Sequence, residues 1–186
     1  MRAKNGASPV KKTWGYKERD PMKRKAYLRL RERYVRRNKT FVYVDESGFE
    51  PEVVRRYGRA PRGQEVYGLR PGHSRPRTCF LAAQIDGAMQ ATQLWEGTCN
   101  TLIFNQWLEE LLCPVLHDNH VVVMDNAAFH TSNKTKELIE QAGATLLFLP
   151  PYSPDFNPIE QDFAAIKKTR EFHEHETIDT IIKNYN

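Results

Sequence analysis

The sequence predicts an α/β domain built on a mixed sheet with helices packed against it. Three observations carry that expectation. The runs Phe41-Val42-Tyr43-Val44-Asp45 and His120-Val121-Val122-Val123-Met124-Asp125 are apolar at successive positions, as strands covered on both faces must be, and each ends in an aspartate. Residues 78–85 and 88–95 flank Asp86-Gly87, a two-residue hairpin signal. Helical stretches separate the later strands, so the order reads strand, hairpin, helix, strand, helix, strand, helix.

Taken in order, residues 1–19 mix Gly, Ser, Pro and Lys and read as a linker. Asp20-Pro21 is a cap followed by a first-turn proline, and the helix it starts is expected to run to about Arg37. Tyr27, Leu30 and Tyr34 fall at i, i+3 and i+7, one stripe that can pack while the arginines face outward. Residues 1–40 hold 15 Lys/Arg against 3 Asp/Glu, whereas the remainder holds 13 against 20. A basic arm on a mildly acidic body fits a polyanionic partner, and it fits equally a solvated charge run that touches nothing. From Glu50 to Arg77 periodicity fades and seven arginines accumulate, including Arg55, Arg56 and Arg62. That segment reads as irregular structure or a short edge strand, with either a second basic surface or scattered solvated arginines.

After the hairpin, Thr98 or Asn100 can cap a helix reaching about Cys113, with Leu102, Trp107, Leu108, Leu111 and Leu112 as its buried side and Pro114 as its stop. The second acid-ended strand leads into the loop Asn126-Ala127-Ala128-Phe129-His130. A helix from about Ser132 then stops at Gly143. Residues 145–149 are the last strand. The proline-rich stretch after it runs into a helix near Asn157-Pro158 that ends about Arg170. Asn157 suits the N-cap and Pro158 the first helical position, which puts Glu160 three residues past the cap. Glu160 therefore has two readings: it closes a capping box on the Asn157 amide, or it is a carboxylate aimed at the end of the sheet. His173 and His175 lie among glutamates in the tail, as a weak metal motif or a solvated face.

Composition excludes several classes. The apolar runs are too short to span a bilayer, and the charged N-terminus lacks the apolar core of a secretory signal. Three cysteines without CxxC spacing, at 79, 99 and 113, offer no disulfide framework or zinc site and fit a reducing compartment.

Two buried strands ending in Asp45 and Asp125, with Glu160 opening a helix after the last strand, can bring three carboxylates to one sheet end. Acids held that close repel one another, and divalent cations relieve the repulsion. Two such ions about 4 Å apart serve phosphoryl transfer.

The blocks VYVDESGF, VVVMDNAAFH and LPPYSPDFNPIE resemble those of the DDE transposases of the insertion sequence 630 family, relatives of mariner-type elements. Thirty-four residues separate Asp125 from Glu160, the spacing that superfamily favours. The resemblance covers about residues 15–180, and the pairing of Pro-Tyr-Ser-Pro with Asn-Pro-Ile-Glu is its most specific part. It implies a ribonuclease H-like mixed sheet flanked by helices, with a basic N-terminal helical arm. It also implies that Asp45, Asp125 and Glu160 are the catalytic acids and hold two Mg²⁺ ions, with Mn²⁺ as a substitute. Asn126 and His130 match positions beside the second acid, where they could orient it, contact a phosphate, or serve packing and capping. Glu46 is expected on the opposite face of its strand and outside the triad. Phe163 stands where the family usually has Trp.

On this resemblance the chain divides into a basic linker and helical arm (1–39), a catalytic domain (40–172) and a C-terminal tail (173–186). The implied activity is DNA cleavage and strand transfer of an insertion sequence, into TA targets. The alternative is an inactive or hydrolysis-only ribonuclease H-like remnant that binds DNA. The implied partners are double-stranded DNA, both element ends and target, and a second copy forming a homodimer on DNA. Arg24, Arg29, Arg33, Arg36, Arg37, Arg55, Arg56 and Arg62 are the candidate phosphate contacts. Family members carry helix-turn-helix modules before the catalytic domain, and the residues before Phe41 resemble only the linker helix. A separate helix-turn-helix polypeptide is therefore a further expected partner. The implied location is the bacterial cytoplasm, at the nucleoid, with no membrane association.

Overall fold

The computed structural model describes residues 16–50, 59–67, 77–173 and 175–185. Its centre is a five-stranded sheet formed by β1 (Thr40–Phe49), β2 (Thr78–Ile85), β3 (Ala88–Glu96), β4 (His120–Met124) and β5 (Thr145–Phe148), in the order β3-β2-β1-β4-β5. β1 is antiparallel to β2 and parallel to β4, which makes the sheet mixed. β2 and β3 form the hairpin, turning at Asp86 (φ 51°) and Gly87 (φ 82°), two left-handed residues as a type I′ turn requires.

Alternation along the strands sorts the core into two faces. Val42, Val44, Leu81, Ala83, Val122 and Met124 point to one side. There they meet Phe104 and Trp107 of α2 (Thr101–Trp107) and Leu138 and Ile139 of α3 (Asn133–Gln141). Phe49, Phe80 and Ala82 point to the other, against Ile159, Phe163 and Ile166 of α4 (Ile159–Phe172). Beside them Val121, Val123 and Leu147 receive Tyr27 of α1 (Pro21–Arg36). Asp20 caps α1 by accepting from the Met22 and Lys23 amides at 2.8 and 3.2 Å.

Several expectations change. β1 does not stop at Asp45: it leaves β4 after Tyr43 but stays paired with β2 to Phe49, so Asp45 lies within a strand. At Gly48 the Arg77 side chain crosses where a Cβ would be. The helix after Asn100 is α-helical only to Trp107, then widens into a π turn (Leu108–Leu112) and tightens into a 3₁₀ turn (Cys113–Val115) at Pro114. Leu102, expected inside, is 78% exposed in the first turn of α2. The C-terminal segment is packed: α5 (Ile178–Lys183) buries Ile181 and Ile182 beneath α4, and Tyr185 donates to Asp162 at 2.8 Å. His173 pairs with Glu176 at 2.8 Å. Among the described residues no helix is long and apolar enough to cross a membrane.

Candidate active site

Parallel pairing sets Tyr43 opposite Val123. Two residues further on come Asp45, within β1, and Asp125, just past the end of β4, both on the face covered by α1 and α4. Glu160 is the second residue of α4, which packs on that face. All three carboxylates line one cavity of about 870 Å³, together with Glu46, Asn126, Asn157 and Lys167.

The two aspartates are held differently. Asp45 is partly buried: its Oδ1 accepts from the Glu46 amide at 2.9 Å and its Oδ2 from Asn157 Nδ2 at 3.0 Å. Burial, the neighbouring Glu46, and the Asp125 and Glu160 charges push its carboxyl up to about 8, although the Glu46 amide opposes them. Asp125 is half exposed, and its Oδ1 takes both the Ala127 amide (2.9 Å) and His130 Nδ1 (2.6 Å). Burial pushes Asp125 up, but the His130 hydrogen bond, the Ala127 amide and attraction to the imidazole outweigh it, and the carboxyl lies below its usual range. Glu160 is raised by burial and by Asp125 and Asp155, against the pull of Lys167 two turns along the same face of α4.

The capping-box reading of Glu160 fails. The Asn157 amide already donates to the Pro154 carbonyl at 2.8 Å, and α4 starts from Pro158 without a side-chain cap. Asn157 is buried and spends its side chain on Asp45 instead of the helix start, so it is a site residue that helix-start patterns assign elsewhere. The loop before it is clamped by the N-terminal arm. Asp155 receives Arg24 through two bonds at 3.0 and 2.7 Å and Arg19 at 3.0 Å, while Arg19 Nε also reaches the Tyr152 carbonyl at 3.1 Å. The Arg24 guanidinium lies 3.9 Å from the Phe156 ring centre, and Tyr27 stacks on the same ring at 5.3 Å.

This corrects the place of Arg24, which turns inward to hold the loop because Asp155 and Phe156 offer it charge and an aromatic face. Arg29, Arg33 and Arg37 are exposed along and just beyond α1, as is Arg36, paired with Glu32 at 2.5 Å. Arg62 is exposed in the 59–67 segment, and Arg55 and Arg56 lie outside the described residues. Asn126 donates to the Leu149 carbonyl at 2.6 Å, tying the loop after β4 to the end of β5, which is a structural use of its side chain. His130 is fully buried and does touch Asp125. Glu46 follows the alternation of β1 to the α2 and α3 face, yet its side chain still reaches the cavity around the end of the sheet. Facing away did not exclude it.

Among the described residues no group of three or more His, Cys, Asp or Glu side chains is arranged to hold a metal ion. Asp45 and Asp125 turn oxygens to Asn157 and His130 rather than to each other. The donor chemistry nonetheless fits a hard divalent cation. Four carboxylates face one cavity, and burial, with the neighbouring Glu46, Asp125 and Glu160 charges, raises the Asp45 carboxyl.

A mixed sheet in this order, with Asp45 on one of two adjacent parallel strands and Asp125 just past the end of the other, is the ribonuclease H-like arrangement. Solved structures share it. A Mos1 transposase paired-end complex with the left transposon end matches at a TM-score of 0.66 and 20% identity, over 89% of this chain and 54% of that one. A Mos1 mariner paired-end complex with Mn matches at 0.66 and 19%, over 97% and 63%. The isolated catalytic domain of the Mos1 mariner transposase matches at 0.58 and 17%, over 89% and 76%. The chain thus spans little more than half the length of the first of these. No protein of curated function matches it in sequence. The family model of the DDE superfamily endonucleases matches residues 40–182, and the chain belongs to that family.

Proposed function

We propose that the chain is the catalytic part of a transposase, of the insertion sequence 630 type, that cleaves DNA at element ends and joins the freed 3′ end to a target. The observation that carries this reading is the arrival of Asp45, Asp125 and Glu160, from three separate elements, at one cavity in a DDE endonuclease domain. Asp45, Asp125 and Glu160 would hold Mg²⁺ or Mn²⁺. Such a cation supplies the charge that activates an attacking oxygen and steadies a leaving one. Asn157 fixes one oxygen of Asp45, and His130 one oxygen of Asp125, so both ligands are oriented before DNA arrives. Lys167, at the cavity wall, places a positive charge where a phosphate would enter. The exposed arginines of α1 supply salt-sensitive, sequence-independent grip.

The test is nicking of a supercoiled plasmid carrying the gene and its flanking DNA, with Mg²⁺ or Mn²⁺ and purified full-length chain. Asp45→Ala and Glu160→Ala are expected to lose about 1000-fold in rate, some 4 kcal/mol of barrier. Equal nicking by wild type and both variants would refute the assignment. A labelled 3′ end recovered covalently joined to a second DNA distinguishes a strand transferase from a nuclease that only hydrolyses.

A further inference from the structure

Resting on the proposed active site, a further feature concerns the imidazole between Asp125 and Glu46. His130 is wholly buried, and its ring is gripped by Phe104 and Phe129, with ring centres 4.4 and 4.3 Å away. Its Nδ1 lies 2.6 Å from Asp125 Oδ1, and its Nε2 faces Glu46 Oε2 at 3.6 Å. That second distance is too long for a hydrogen bond, and both facing atoms are buried with no other hydrogen-bond partner. Orphaned buried polar atoms are costly, so two that face each other across a gap under 1 Å too wide mark a contact built to close. Glu46 can close it because its side chain is partly solvent-accessible and stands at the cavity rim, whereas the His130 ring cannot move.

We infer that His130 and Glu46 are positioning residues, a carboxylate–imidazole pair that braces Asp125 from the opposite face of the sheet. The brace occupies Asp125 Oδ1, and a cation entering the cavity is left Oδ2. Glu46 comes from β1 and Asp125 follows β4, so the pair also ties the two central strands together beside their aspartates. Glu46 thereby serves the site without ligating: it acts through His130, as hydrogen-bonded partners one step removed from a metal commonly act through the ligand.

The experiment is calorimetric titration of the full chain with Mn²⁺, run beside plasmid nicking and thermal melting. His130→Ala is expected to weaken Mn²⁺ binding about 10–100-fold. His130→Asn places an amide nitrogen where the ring has Nδ1, keeps the donor to Asp125, and is expected to restore most of that loss. Glu46→Gln should weaken binding in the wild-type background and have no effect, within about twofold, in the His130→Asn background, because the link it acts through is gone. If Glu46→Gln costs as much as Asp125→Asn whatever stands at 130, Glu46 is a ligand itself and the brace is wrong. If His130→Ala melts lower but binds Mn²⁺ as wild type, the imidazole only packs; if both are as wild type, it does neither, and either way the brace is wrong. Loss of the metal-site reading looks different: then Asp125→Asn, too, leaves Mn²⁺ binding unchanged.

Discussion

Asp45 and Asp125 each come two residues after the last pair, Tyr43 and Val123, of two neighbouring parallel strands, yet their surroundings make them chemically unlike. Asp45 is partly buried beside Glu46 and receives its side-chain hydrogen bond from a neutral amide, so its proton is held up to about pH 8. Asp125 stands half in solvent with an amide and an imidazole on one oxygen, and it stays ionised below the ordinary carboxylate range. The strands supply position. Charge is set by surroundings: burial and the neighbouring carboxylates of Glu46, Asp125 and Glu160 for Asp45, and the His130 and Ala127 contacts of the loop after β4 for Asp125.

The largest effect should come from removing the amide that orients Asp45. Asn157→Ala is expected to slow Mn²⁺-dependent plasmid nicking by about 10–100-fold. A rate within twofold of wild type would mean that the strand alone fixes Asp45.

Stability against pH separates the two aspartates by sign. The folded-state pKa of Asp45 is raised, so its contribution to stability is complete below its unfolded value of 3.8 and is lost as pH rises toward about 8. Metal-free protein should therefore melt higher at pH 8.5 when Asp45→Asn is made, by about 2 kcal/mol or roughly 4–8 °C. Asp125 is depressed, so its contribution is present above 3.8 and lost as pH falls, and Asp125→Asn should lower the melting temperature at pH 8.5. Shifts of the same sign in both variants would break the contrast.

The smallest effect concerns the arm. Arg24→Ala removes the Asp155 pair and the Phe156 stack, and should cost about 1 kcal/mol of stability while leaving the salt dependence of DNA binding unchanged. Arg33→Ala should do the reverse, lowering the slope of log K against log salt by about 1 with little change in melting. Filter binding across a salt series distinguishes them.

Much of this was legible in the chain because it is local. The Asp20 cap, the Asp86-Gly87 turn and the apolar strands follow from neighbours in sequence, and the two apolar runs point to Asp45 and Asp125, although β1 continues past Asp45. What escaped is non-local. Asn157 has the sequence surroundings of a cap, and only the packing of α4 on β1 brings Asp45 within 3.0 Å of its amide. Glu46 was assigned to the correct face by alternation, but a two-residue period says nothing about a long side chain at the end of a sheet. Arg24 is one arginine among many until the loop from α4 folds back onto α1 and presents Asp155. Ile181 and Ile182 read as tail because a single helical turn carries too little pattern to announce what it covers.

The parallel pairing of β1 with β4 also sets a timetable. Tyr43 meets Val123 eighty residues later, so a chain emerging from the ribosome completes its first strand long before the partner exists. The hairpin and α2 are made in the interval, and Glu160 leaves later still, after α3 and β5. A nascent chain therefore carries its basic α1 well before it has the third of the three carboxylates. Assembly of the three-acid cavity is deferred until nearly the whole domain has been synthesised.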